Sequence, residues 1–233
     1  MPKKVAGYVG QILRADLSSH KLSIMVIDEV TLRQYLGGTG LGIKILYDEL
    51  SPDVKWDSPE NLLIFATGPL NGTKIGGAGT FSVVTKGAMT KGATSTQGSG
   101  FMGAYMKFSG FDALVLEGKS SDWVYLYLHG GVAELRDASH LVGKGTFETE
   151  ELIKKELGYG HKELSVFSIG MAGENLVRFA AIVGDGGHVM AHNGVGAVMG
   201  SKKLKAIAAA RKPAVEIEIH DPNTQSVLKK EVM

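Results

Sequence analysis

Apolar and polar positions alternate along "GYVGQILRADLSSHKLSIMVID" on either side of a polar break at residues 18–20, the pattern of a β-hairpin. Asp28 then stands as N-cap of a short helix running to Leu36, with Gly37 and Gly38 ending it. Residues 40–50 carry Leu41, Ile45 and Leu46 on one helical face, and Pro52 stops that helix. "NLLIFATG" (61–68) is a continuous apolar run, which predicts a strand buried on both faces, and "FSVVTKG" (81–87) predicts another. "GSGFMGAYMKFSG" predicts a glycine-started helical turn that feeds the strand "DALVLEG".

The second half repeats this order. "WVYLYLHGGVAELRD" predicts a hairpin turning at Gly130 and Gly131. A helix starts at Thr146 with acidic residues early and Lys154 and Lys155 late, as the helix dipole favours, and Gly158 closes it. "LSVFSIG" parallels "LIFATG", "VRFAAIVG" parallels "FSVVTKG", and "GVGAVMGSKKLKAIAAA" parallels the glycine-started helix and strand of the first half. The expected fold is α+β: a duplicated domain of two sheet-containing repeats with short helices, over residues 5–118 and 119–212 of a domain spanning 1–212. Beyond it, "AVEIEIH" alternates as a strand, and Asp221 and Pro222 stand as N-cap and N1 of a further helix. Residues 213–233 are expected to lead into another domain and to be poorly packed here.

Composition narrows the chemistry. Zero cysteines exclude disulfides, thiolate metal sites and any iron–sulfur cluster ligated by these residues. A formal net charge of +1 leaves no electrostatic footprint for nucleic acid or an anionic membrane. No apolar run reaches the roughly 20 residues of a membrane helix, and no signal peptide is legible, so a cytoplasmic location is expected. Thirty-two glycines, well above an average share, sit in discrete loops where backbone must approach something closely.

Two of those loops open helices, and a helix N-terminus with free N–H groups suits an anion. "GVGAVMG" approximates a dinucleotide-binding turn, but "GDGGHVMAHN" separates it from the strand that should feed it. No phosphate-binding glycine-lysine-serine/threonine loop is present. The competing reading is that the glycines serve helix–sheet packing alone. His188 and His192 are four apart but lie in an expected loop without a partner carboxylate, so no metal site is assigned. Asp185 is expected to cap a turn with Gly186 and Gly187, and Glu174 has no evident partner. No catalytic residue is assigned.

Taken together, "GYVGQILRADLSSHKLSI", "YLGGTGLGIKILYDELSPDVKWDSPENLLIFATGPLNGT", "FSVVTKGAMT", "MKFSGFDALVLEGK", "ELRDASHLVGKGTFETEELIKKELG", "AGENLVRFAAIVGDGG" and "GVGAVMGSKKLKAIA" resemble the N-terminal domain of the aldehyde ferredoxin oxidoreductase family, over residues 6–211. That family comprises tungsten- or molybdenum-dependent oxidoreductases. The resemblance implies a domain of two related repeats that cradles a bis-molybdopterin metal cofactor. It places any 4Fe-4S cluster, and electron transfer to ferredoxin, on further domains or a second subunit. A homodimer is carried as an alternative partner reading.

Carried onto this sequence, the resemblance implies cofactor contacts at Thr80, Gln97, Gly98, Ser99, His192, Asn193, Gly194 and Gly196. Thr80 and His192 fall where the family carries arginines. Arginine grips phosphate through a planar, permanently charged fork, which threonine and neutral histidine lack. Each such loss is expected to cost on the order of 1.5–3 kcal/mol unless replaced. A non-catalytic descendant that binds another anionic ligand or a partner protein is therefore the alternative expectation.

Overall fold

The computed structural model describes residues 5–232. The first sheet is built from β1 (Gln11–Asp16), β2 (Lys21–Val26), β3 (Leu63–Ala66), β4 (Phe81–Lys86), β5 (Ala93–Gly98) and β6 (Ala113–Glu117), in the spatial order β2-β1-β6-β3-β4-β5. The second contains β7 (Val124–His129), β8 (Val132–Asp137), β9 (Leu164–Ser168), β10 (Ile182–Gly184), β11 (His188–Met190) and β12 (Leu204–Ala210). Its order is β8-β7-β12-β9-β10-β11, the first sheet repeated strand for strand. The pairing senses repeat too: β1–β6 and β7–β12 run parallel, and every other pair is antiparallel. The fold is therefore the duplicated two-sheet α+β architecture.

The continuous apolar strands are explained by the layering. In β6, Leu114 and Leu116 join a central cluster with Leu126, Phe167 and Ile207 of the second sheet, so the two sheets share one core. Phe81 meets Phe167 edge to face across it, ring centroids 5.2 Å apart. Ala113 and Val115 instead face Leu32 of α1 (Glu29–Tyr35) and Leu41, Ile45 and Leu46 of α2 (Gly38–Glu49). On the far face of the second sheet, Ile153 of α4 (Thr146–Leu157) covers Tyr125, Val166 and Ala208. Asp28 caps α1 by accepting from the Thr31 N–H, and Gly158 closes α4 in the left-handed region.

Three expectations fail, each for a local reason. β5, "ATSTQG", carries no apolar alternation because its buried positions are Thr94 and Thr96, so pattern reading passes over it. β11 forms where a loop is expected, and β10 is confined to residues 182–184, because residues 177–180 turn back instead of extending. "AVEIEIH" forms no strand: its ladder groups are mostly unpaired, with the Gly7 N–H donating to the Glu218 carbonyl and the Ala214 N–H to that of Phe108. Nor is it loosely held, since Val215, Ile217 and Ile219 are half-buried and Ile217 packs beside Gly72. The segment is a strap returning to the first sheet. Beyond it, α7 (Pro222–Val232) starts on the Asp221 cap and leaves Val227 and Leu228 exposed.

Candidate functional site

The two glycine loops precede α3 (Met102–Phe108) and α6 (Val195–Ser201), and the structure brings them to one seam where the free edges of the sheets, β5 and β11, meet. Along this seam each repeat shapes the other's loop. Asp185, at the tip of the β10–β11 hairpin, accepts the Phe101 N–H at 2.7 Å and the Ser165 hydroxyl at 2.9 Å. It thereby satisfies the first backbone donor of α3 from the opposite repeat. Burial pushes its carboxyl above the usual range. On the other side, the β4–β5 tip packs on the second loop: the Met89 N–H donates to the Asn193 carbonyl at 3.4 Å, and the Asn193 amide donates to the Thr94 hydroxyl. Asp185 stands in the expected turn with Gly186 and Gly187, but its carboxylate is taken up by Ser165 and by Phe101 of the other repeat instead of capping that turn.

Thr80, Gln97, Gly98 and Ser99 converge, because Phe81 pairs with Gly98 and Ser82 with Gln97 across the β4–β5 ladder. The Ser99 hydroxyl lies 2.9 Å from His188 Nδ1, and the His192 N–H donates to Thr96 Oγ1 at 3.4 Å, so the second loop joins the same face. Thr80, Gln97, Ser99, His188 and His192 are exposed, whereas Gly98, Gly194 and Gly196 are buried. A side chain at Gly98 would stand 2.8 Å from Met190, and one at Gly196 would stand 2.5 Å from the Ala181 carbonyl. Gly194 has φ +71°, and a side chain there would overlap the Arg178 carbonyl. The first loop is thus fixed by contact with the other repeat and the second mainly by close backbone approach within its own, and the face shown to solvent is made of hydroxyls, an amide and two imidazoles.

Sequence reading missed the Asp185 contact because it acts across the seam, and Arg178 because its link to Gly194 is a close backbone approach that no spacing signals. Arg178 is exposed and lies in the turn at residues 177–180, where its carbonyl is what Gly194 packs against. Its only sequence signal is "ENLVRF", which carries no spacing to the loop at residue 194. Glu174, expected to be single, ends α5 (Met171–Glu174) and is buried against Lys205, whose ammonium also donates to the Ile169 carbonyl at 2.7 Å. No group of three or more metal-ligating side chains occurs among the described residues. No helix among them is long and apolar enough to cross a membrane.

The site is thus a duplicated two-sheet domain whose paired loops present hydrogen-bonding groups on one face. Comparison with known proteins makes this particular. The family model for the aldehyde ferredoxin oxidoreductase N-terminal domain matches residues 12–211, and the chain belongs to that family. It is 46% identical over 211 residues to a tungsten-containing aldehyde ferredoxin oxidoreductase of Pyrococcus furiosus, covering 91% of this chain and 34% of that protein. It is 37% identical to the WOR-like subunit of an aliphatic sulfonate oxidoreductase of the same organism, covering 96% of this chain and 38% of the relative. The fold is similar to the active-site complex BamBC of benzoyl coenzyme A reductase bound to 1,5-dienoyl-CoA. There the TM-score is 0.87 with 40% identity, covering 90% of this chain and 32% of the other. The chain thus spans about a third of the length of the relatives it matches.

Proposed function

We propose that this chain is the cofactor-cradling N-terminal part of a tungsten or molybdenum oxidoreductase of the aldehyde ferredoxin oxidoreductase type, and that its seam holds a bis-molybdopterin cofactor. The observation that carries the reading is the convergence of the two pre-helix loops on one exposed face. The donor set fits such a group. Hydroxyls of Thr80 and Ser99, the Gln97 amide and the rings of His188 and His192 offer hydrogen bonds suited to a pterin edge or a phosphate oxygen. Asn193 and the buried Gly98, Gly194 and Gly196 would hold those groups in place by fixing the loop backbone. Arg178, whose carbonyl abuts Gly194, offers a positive charge in place of the arginine that the family carries at residue 192.

When bound, the metal centre would supply two-electron oxidation or reduction of the substrate carbon. This chain's own residues bind and orient the cofactor; they carry no catalytic acid or base. Electrons would pass to ferredoxin through a 4Fe-4S cluster on further domains or a partner subunit in the cytoplasm.

The neutral residues at Thr80 and His192 favour one second reading, a non-catalytic relative whose seam takes another anionic ligand or a protein. Metal and pterin analysis of protein isolated from its native host, with any co-purifying subunit, separates the two. Tungsten or molybdenum at about one per chain, with two pterins, is the expected result. Protein free of both metals with its partner bound would overturn the cradle.

A further inference from the structure

The strap leaves one edge of its backbone unused. Two groups tie it to the body: the Ala214 N–H donates to the Phe108 carbonyl and the Glu218 carbonyl receives the Gly7 N–H, at 2.8 Å each. Residues 216–219 run without bend or turn, and their burial alternates residue by residue as in a strand. Successive residues of such a chain turn their N–H and C=O to opposite sides. With Glu218 turned inward, Ile217 and Ile219 are turned away. No backbone group of Val215, Ile217 or Ile219 forms a hydrogen bond among the described residues. A free edge of this kind is a template for another strand.

The two faces of the strap differ. Val215, Ile217 and Ile219 are half-buried beside an open groove of about 920 Å³, whose other wall includes Gly72, Thr73, Lys74 and Phe108. Glu216 and Glu218 alternate with them on the exposed side, and neither carboxylate has an ion-pair or hydrogen-bond partner among the described residues. An occupant of this edge therefore meets two requirements at once. It needs apolar residues opposite the Val/Ile positions, to continue their stripe into the groove, and lysine or arginine opposite the two glutamates.

We infer that residues 215–219 of the strap are a docking edge that takes up an extended segment of a partner protein, alternately basic and apolar, as an added antiparallel strand. Strand addition draws its affinity from main-chain hydrogen bonds and its selectivity from alternate side chains. The antiparallel sense gives the stronger ladder. Selectivity rests on Glu216 and Glu218, because a formal net charge of +1 gives the chain as a whole no attraction for a basic peptide. The strap meets α3 at its last residue, Phe108, whereas the seam meets that helix ahead of its first, at Phe101. The docking edge and the cofactor seam are thus separate surfaces, and either can stand without the other.

The test uses the chain as it exists and a short fluorescein-labelled peptide of alternating lysine and valine, followed by fluorescence anisotropy and amide exchange. Saturable binding is expected, about tenfold or more tighter than for a peptide of alternating glutamate and valine. The amides of Ile217 and Ile219 should exchange rapidly in the chain alone and become protected when the peptide binds. In the antiparallel pair the valines lie opposite Val215, Ile217 and Ile219 and exchange hydrogen bonds with them. N-methylation of the valines should therefore abolish binding, while N-methylation of the lysines leaves it. Glu216→Lys combined with Glu218→Lys should reverse the preference toward the glutamate–valine peptide. The melting temperature should stay unchanged, because both side chains are exposed. No saturable binding, equal binding of the two N-methylated peptides, or a double variant that still prefers the lysine peptide overturns the inference. Slow exchange at Ile217 and Ile219 in the chain alone overturns it too, since the edge is then covered by the chain itself or by a second copy.

Discussion

At the scale of single residues, the seam is decided by how close two backbones come. Gly194 sits in the left-handed region with the Arg178 carbonyl where a side chain would be. Gly194→Ala is therefore expected to cost more than about 4 kcal/mol or to give insoluble protein, measured by urea unfolding. Asp185 offers a finer contrast. Asp185→Ala strands the buried Phe101 N–H and the Ser165 hydroxyl, an expected loss of about 2 kcal/mol with faster amide exchange at Phe101. Asp185→Asn keeps an oxygen acceptor for both bonds and tolerates the observed φ of +48°, but sets its amide nitrogen at the buried, unpartnered Oδ1 position, so it should cost less than Ala without being neutral. If Asn proves as damaging as Ala, the carboxylate is doing something other than accepting those two hydrogen bonds.

At the scale of elements, buried lysines tie the layers together by donating to backbone carbonyls. Lys202, just after α6, donates to the Pro59 and Gly118 carbonyls at 3.1 Å each, linking the second repeat to the first. Lys107 on α3 donates to the carbonyls of Gly7 and Gly68 and lies 3.7 Å from Asp112. Burial lowers both ammonium groups from their usual value to about 8. Below pH 8 both remain protonated whether the chain is folded or not. Between pH 8 and 10 the unfolded chain holds more protons, so stability should rise with pH, by up to about 1.4 kcal/mol per pH unit for each lysine. Denaturant unfolding over that range should show the rise, and Lys202→Met should remove part of it. A flat profile for the wild type would mean that these lysines are hydrated.

At the scale of the whole molecule, the strap and the seam make two repeats into one body. The strap crosses from the end of β12 to the first sheet, where Ile217 packs beside Gly72 and the Glu218 carbonyl receives the Gly7 N–H at 2.8 Å. Ile217→Asp is expected to release it, with loss of exchange protection at Gly7 and proteolysis near residue 213, while the sheets stay folded. Retained protection at Gly7 would show that the strap is held by its backbone alone.

Much of this was legible along the chain. The hairpin at residues 18–20, the α1 and α4 caps and the buried strands β3, β6, β9 and β12 follow from local alternation, capping residues and apolar runs. Those signals depend on neighbours a few positions away, and the duplication is legible because the same local signals recur in the same order in the second half. The seam does not. Thr94 and Thr96 are buried on β5 because loop residues almost 100 positions later bond to them, and Asp185 reaches an N–H 84 positions before it. The glycine loop at residues 194–200 had its conformation written in the sequence. That Gln97, Ser99, His188 and His192 share one exposed face was settled only when tertiary packing set two sheet edges side by side.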